Sequence, residues 1–395
     1  MQQPIPTART IVRETATWYG YLATGCFSYL LNIQGNILPF LKVELDLTYQ
    51  AVSLHSTAIA IGWAVIGVAG ERLVRAFGRQ RLMMAGMLGT ATAAVLFTFA
   101  TQTWESLGAS LVFGFFGGLV VSMVPAFLSD LHGPNREIVF AEYNAVAFAF
   151  AVMAPALTGL VIWLGLGWRL AVFAGAAISL AVLLRFARAQ LPPIRTPSHQ
   201  EGSRLPLAFW FFWLTIGLSV AVEFSVMLWA PAYLQRVVGL PESTAAAGNA
   251  AFLASMLVCR IAGILLLRRF TTRQLFLASA ATTVVGFLIY WSAPGVWIAI
   301  GGLAVLGLGV ALLFPLGLSF AVVAAGTNAD RATARVALAA ALAIMLTPPL
   351  IGGVADAVGL HGALLATPLF MVLAVMAFIA GSMIDRRSNP AEASS

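Results

Sequence analysis

Residues 188–206 read RAQLPPIRTPSHQEGSRLP, a polar, proline-rich stretch in an otherwise apolar chain. The stretch is too long for a tight connection and reads as a solvated linker. On each side of it lie six apolar runs, each near the ~20 residues a helix needs to cross a bilayer. Split at Gly, Pro and charge clusters, they fall at roughly 18–41, 50–70, 82–101, 107–128, 138–164, 169–187, 207–234, 245–267, 275–292, 295–325, 333–356 and 362–384. The ten-residue alternating segments of a membrane β-barrel are not seen. The expected fold is an all-α integral membrane protein with twelve transmembrane helices. A six-helix bundle is expected in 1–187, a linker in 188–206 and a second six-helix bundle in 207–395.

Composition supports this reading. Of 395 residues, 60% are hydrophobic and 9% charged, against about 25% charged in soluble proteins. A soluble enzyme or a secreted disulfide scaffold is excluded, because a globule of this size could not hide so much apolar surface. The net charge of +7 does not point to nucleic acid, since the basic residues cluster between apolar runs. With the N-terminus inside, 18 of the 22 basic residues fall on the cytoplasmic side, leaving Lys42, Arg169 and Arg236 outside and Arg260 within a span. The positive-inside rule then puts both termini in the cytoplasm of a multi-pass protein of the cell inner membrane. Cys26 and Cys259 sit in apolar runs and read as small buried hydrophobes. No cofactor or metal site is expected. Arg9 and Arg13 precede an apolar run without a small-residue cleavage site, so no signal peptide is expected.

The two sides of the linker repeat each other. At an offset of 194, Ala154-Pro155-Ala156-Leu157-Thr158-Gly159 meets Pro348-Pro349-Leu350-Ile351-Gly352-Gly353, and Gly165 meets Gly359. At 193, Gly70, Arg75 and Phe77 meet Gly263, Arg268 and Phe270, and Leu38-Pro39 meets Ala230-Pro231 at 192. With twelve spans in two repeats, the chain resembles the major facilitator superfamily of secondary transporters. The family's loop between spans two and three reads roughly G-x-x-x-D-R-x-G-R-[KR]. Here Gly70, Arg75, Gly78 and Arg79 match, while Val74 stands where the signature has Asp. The span-five pattern of drug/proton antiporters is incomplete, with Phe150 at its first Gly. Leu111 stands where span four of those antiporters often carries Arg.

Polar groups deep in spans are costly in hydrocarbon and mark functional candidates. Glu223 lies ~24 Å along span seven from its start, at 1.5 Å per residue, and is the candidate for substrate binding and proton coupling. Arg260 in span eight either snorkels to the interface or binds an anionic group or Glu223. Asn32 and Asn36 are four apart, hence on one helix face, and form a candidate hydrogen-bonding wall for substrate. Gln34 is expected to point elsewhere. Interhelical bonding is the alternative for the two Asn, and Asn249 and His55 are weaker candidates. At the cytoplasmic mouth, Glu142 is expected to pair with Arg136. The resemblance makes Asp130 the partner of Arg75 and Arg79 in a gate between the halves.

Enzymatic motifs are absent, so the chain is not expected to be an enzyme. The leading expectation is a monomeric secondary active transporter of a small organic solute. It takes up a polar or anionic metabolite with protons as coupling ion. Efflux of amphiphiles by proton antiport is the alternative, and a non-transporting sensor or scaffold of the same fold is a third.

Overall fold

The computed structural model describes residues 12–192 and 205–388. Most of the linker, 193–204, thus lies outside the described residues. Among them are thirteen α-helices, two short 3-10 turns and no strand. In chain order these are α1 (Thr15–Glu44), α2 (Tyr49–Phe77), α3 (Arg79–Phe97), α4 (Thr103–His132), α5 (Arg136–Trp163), α6 (Arg169–Phe186) and α7 (Leu207–Arg236). They continue as α8 (Glu242–Leu267), α9 (Thr272–Trp291), α10 (Val296–Val310), α11 (Leu313–Ala325), α12 (Ala329–Ala363) and α13 (Ala366–Ser388). Helices prevail because a backbone in hydrocarbon must satisfy its own N–H and C=O groups. Ten crossings are long and apolar enough to span a membrane. The two remaining long helices carry more polar residues. α1 holds Asn32, Gln34 and Asn36, and α3 opens on Arg79-Gln80-Arg81.

The expected span 295–325 is present as one crossing, Val296–Ala325, made of two helices. The crossing is broken between α10 and α11, at Ala311-Leu312. Pro315 explains the break: it lacks an N–H, and its ring clashes with the carbonyl four residues back, that of Ala311. A second break lies within α12 at Gly359, whose φ of 81° and ψ of 159° are non-helical.

Backbone conformation carries the repeat as well. Gly165 and Gly359, paired by sequence offset, both take positive φ, 74° and 81°. The turns Gly133–Asn135 and Gly326–Asn328 follow α4 and α11, each opened by a left-handed glycine with φ of 47° and 56°. This last pair has the 193-residue offset of the Gly70 and Gly263 match.

Small residues let the helices approach closely. A Cβ at Gly62 in α2 would stand 2.3 Å from the Phe115 nitrogen, and one at Gly114 in α4 2.2 Å from the Ile59 carbonyl oxygen. Between the first six helices and the rest, α5 packs on α8, α2 on α12 and α1 on α7. Both cysteines are buried thiols, as their apolar surroundings imply.

Candidate functional site

The face of the molecule away from the start of α1 is where α2 meets α12. The first backbone N–H groups of a helix have no partner within it. In α2 they are met from two sides. Thr48 accepts from the Ala51 N–H at 3.1 Å. Asp356 of α12 accepts from the Tyr49 N–H at 2.7 Å and the Gln50 N–H at 2.9 Å. Beside this cap, a Cβ at Gly352 would lie 2.7 Å from the Tyr49 carbonyl oxygen, so the two helices touch backbone to backbone. The Tyr49 ring meets Trp229 edge-on, with centroids 5.7 Å apart, and the Lys42 ammonium lies 4.6 Å over the same ring. Deeper, the Thr57 hydroxyl donates to the Met345 carbonyl at 2.8 Å.

Beneath this seal lies a narrow cavity of ≈ 30 Å³ between α1, α2, α7 and α12. The α1–α2 wall sets Asn32, Gln34, His55, Ser56 and Trp63 among the apolar Leu31, Leu38 and Ile59. The facing wall is apolar: Phe224, Met227, Leu228 and Ile344. His55 is fully committed, with one ring nitrogen 2.8 Å from the Val52 carbonyl and the other 2.9 Å from the Ser106 hydroxyl. Gln34 is 5% exposed, yet neither atom of its amide finds a partner in the protein, and the same holds for Asn32 Oδ1 and Trp63 Nε1.

Here the expectation for α1 is corrected. Gln34 lines the cavity, whereas Asn36 is fully buried away from it and donates to the Asn32 carbonyl at 2.7 Å. Asn249 reaches the Asn36 oxygen at 3.4 Å and the Met227 carbonyl at 3.1 Å, so Asn36 joins α1 to α8. Asn32 keeps a place at the cavity, though its amide nitrogen is held by the Ser28 carbonyl at 2.9 Å. The reason is helical rotation. Residues 31, 34, 35 and 38 share one face, and Gly35 sits against the Met227 carbonyl and Leu228 of α7. Position 36 falls on the far side of that face. Gly35 was the available signal, since a helix points its glycine at a close neighbour.

The two deep charges occupy different neighbourhoods. Glu223 is half-buried on α7, one turn before Met227, and makes no hydrogen bond or ion pair with another described residue. Arg260 on α8 lies flat over the Phe148 ring of α5, its guanidinium carbon 4.1 Å from the centroid, with its Nε buried and unpartnered. The two are within electrostatic reach of each other without closing to an ion pair. Arg260 therefore belongs to the α5–α8 interface, and no charged side chain lines the cavity.

At the N-terminal face, Arg79 donates to Asp130 at 2.7 Å and to the Pro192 carbonyl at 3.1 Å. This ties α3 to α4 and to the chain leaving α6, all within the first six helices. The Arg79–Asp130 pair is the one the resemblance implied, and Arg79 makes a further interaction besides these. Arg75 also makes an interaction. Glu142 takes a different partner from the one expected. Arg13, far away in sequence, pairs with it through Nε at 3.0 Å and through its terminal nitrogen, and the Tyr21 hydroxyl donates at 2.7 Å. The Glu142 carboxylate, accepting from the Arg13 guanidinium, raises it above its ordinary pKa. Arg136 begins α5, and its side chain lies outside the described residues. Because the Arg79–Asp130 pair is internal to the first six helices, Asp130→Asn should lower thermal stability by about 1 kcal/mol. Spin-label distances between α2 and α12 should stay unchanged, and a shift in them would show the pair acting between the halves.

Among known proteins, the chain is 26% identical to an uncharacterised MFS-type transporter of Pseudomonas aeruginosa over 416 aligned residues, 98% of each chain. It is 31% identical over 151 residues to an uncharacterised transporter of Sinorhizobium fredii, but that match spans 38% of this chain and 40% of the relative. Among solved structures, a bacterial homolog of the human lysosomal transporter Spinster superposes with a TM-score of 0.78 at 15% identity, covering 94% of this chain and 96% of that one. The profile of the Major Facilitator Superfamily matches residues 20–329. That span covers most of the chain, from α1 through the first repeat to the start of α12 in the second, so the chain belongs to the major facilitator superfamily.

Proposed function

We propose that this protein is a monomeric secondary active transporter of a small organic solute, working by alternating access in the cell inner membrane with both termini cytoplasmic. In this reading 1–187 and 207–395 are the two rocking bundles and 188–206 joins them. The observation that carries it is the cavity under the Asp356–α2 seal, which lies where the two repeats meet. A solute held there is shut off from the seal's side until α2 and α12 part. Glu223 is the proton-coupling group, because its half-buried carboxyl stands on the helix that forms the apolar wall.

The apolar wall of Phe224, Met227, Leu228 and Ile344 favours a second reading, efflux of amphiphilic compounds by proton antiport. One experiment tests the transport reading and sorts the two. Solutes that stabilise the purified protein in a thermal-shift screen are offered to proteoliposomes under an imposed pH gradient. Accumulation with the proton influx supports uptake, and expulsion against it supports antiport. Absence of flux for every stabilising solute overturns both.

A further inference from the structure

We propose that the cavity between α1, α2, α7 and α12 recognises a neutral solute bearing a carboxamide-like edge on an apolar body. The inference rests on the transport reading for its consequence, but its geometry stands apart from it. Buried polar groups in folded proteins are almost always hydrogen-bonded. Three residues that line this cavity carry four buried side-chain atoms without protein partners: both ends of the Gln34 amide, Asn32 Oδ1 and Trp63 Nε1. Gln34 is the decisive one, because it is 5% exposed and lines the cavity.

Their chemistry sets the class. Gln34 Nε2 and Trp63 Nε1 donate, while Gln34 Oε1 and Asn32 Oδ1 accept. The Asn32 assignment is fixed by its nitrogen donating to the Ser28 carbonyl. Two donors and two acceptors on the lining residues match a group that itself offers both, such as a primary amide. A carboxylate would leave the acceptors facing like charge, and an ammonium would leave the donors unmet. An ion entering would also shed water with no counter-charge on the lining, since Arg260 is stacked on Phe148 and Glu223 is not among the lining residues. The facing wall takes the apolar body, as in most small-molecule pockets.

Three probes of one shape separate these classes: 2-naphthamide, 2-naphthoate and 2-naphthylmethylammonium, titrated calorimetrically into the purified full-length protein. We expect the amide to bind roughly tenfold or more tighter than either ion, and Gln34→Leu to remove that preference. Gln34→Glu should turn the preference toward the ammonium, an outcome that misfolding cannot produce. Tighter binding of the naphthoate or the ammonium to the wild type, no binding by any probe, or an unchanged preference in both variants overturns the inference. Binding of the amide through Gln34 without flux in proteoliposomes supports the inference and sinks the transport reading instead.

Discussion

Replacing Glu223 with Gln is expected to reduce proton-driven accumulation to the level of empty vesicles while leaving ligand binding and counterflow measurable. Gln keeps the shape and the hydrogen-bonding capacity of a carboxylic acid but has no proton to exchange. The position suits coupling. A carboxyl in the middle of a span is costly to keep and marks a pathway or relay by default. Glu223 makes no hydrogen bond or ion pair with another described residue, so it is not held as part of a fixed polar knot. It stands on the same helix as Phe224, Met227 and Leu228 of the cavity wall, which lets solute occupancy and proton occupancy act on one element. Arg260, within electrostatic reach, moves with α8 when the α5–α8 interface shifts, and thereby alters the field at the carboxyl. Coupling requires such a difference between two states. Uptake and counterflow in proteoliposomes, with and without an imposed pH gradient, check the result. Accumulation by the mutant with the wild-type response to the gradient would make Glu223 a structural group.

The elements that were legible in the sequence are those set by hydrocarbon itself. Apolar runs of ~20 residues had to be helices, because a backbone in lipid has no other way to pair its polar groups. Repeated Gly and Pro positions marked the duplication because they fix backbone shape, as the positive φ of Gly165 and Gly359 shows. What was not legible was rotation. α1 is buried on nearly every side, so apolar periodicity gives no face to count from. The spacing of Asn32 and Asn36 pairs them on one face, whereas the cavity is lined by Asn32 and Gln34. Partners far apart in sequence were equally hidden. Glu142 has Arg136 six residues away, yet its bonds go to Arg13 and Tyr21. Asp356, near the end of an apolar run, carries no local pattern that names its partners. Only the fold places the α2 amides in front of it.

That carboxylate gives the second large effect. Asp356→Ala is expected to loosen the seal between α2 and α12 and shift the protein toward the state in which this face is open. The substitution removes two charge-assisted hydrogen bonds at once, those from the Tyr49 and Gln50 N–H groups. Loss of a capping side chain costs about 1 kcal/mol, with a range near 0.5–2. Asp356 is exposed, so solvent screening keeps the effect inside that range and below the value of a buried ion pair. Against a two-state equilibrium, one to two kcal/mol is roughly a five- to thirtyfold change in the ratio of states. The helix itself should survive, because Thr48 still accepts from the Ala51 N–H. The change therefore falls on the contact between α2 and α12, and folding is spared. Asp356→Asn, whose amide oxygen can accept but carries no charge, should lie between wild type and Ala. Spin labels at the exposed positions Val43 and Val358 report the opening as growth of a longer-distance population. A distribution in Asp356→Ala identical to wild type, with the protein folded, would mean that Gly352 against Tyr49 and Thr57 against Met345 hold this face shut without the cap.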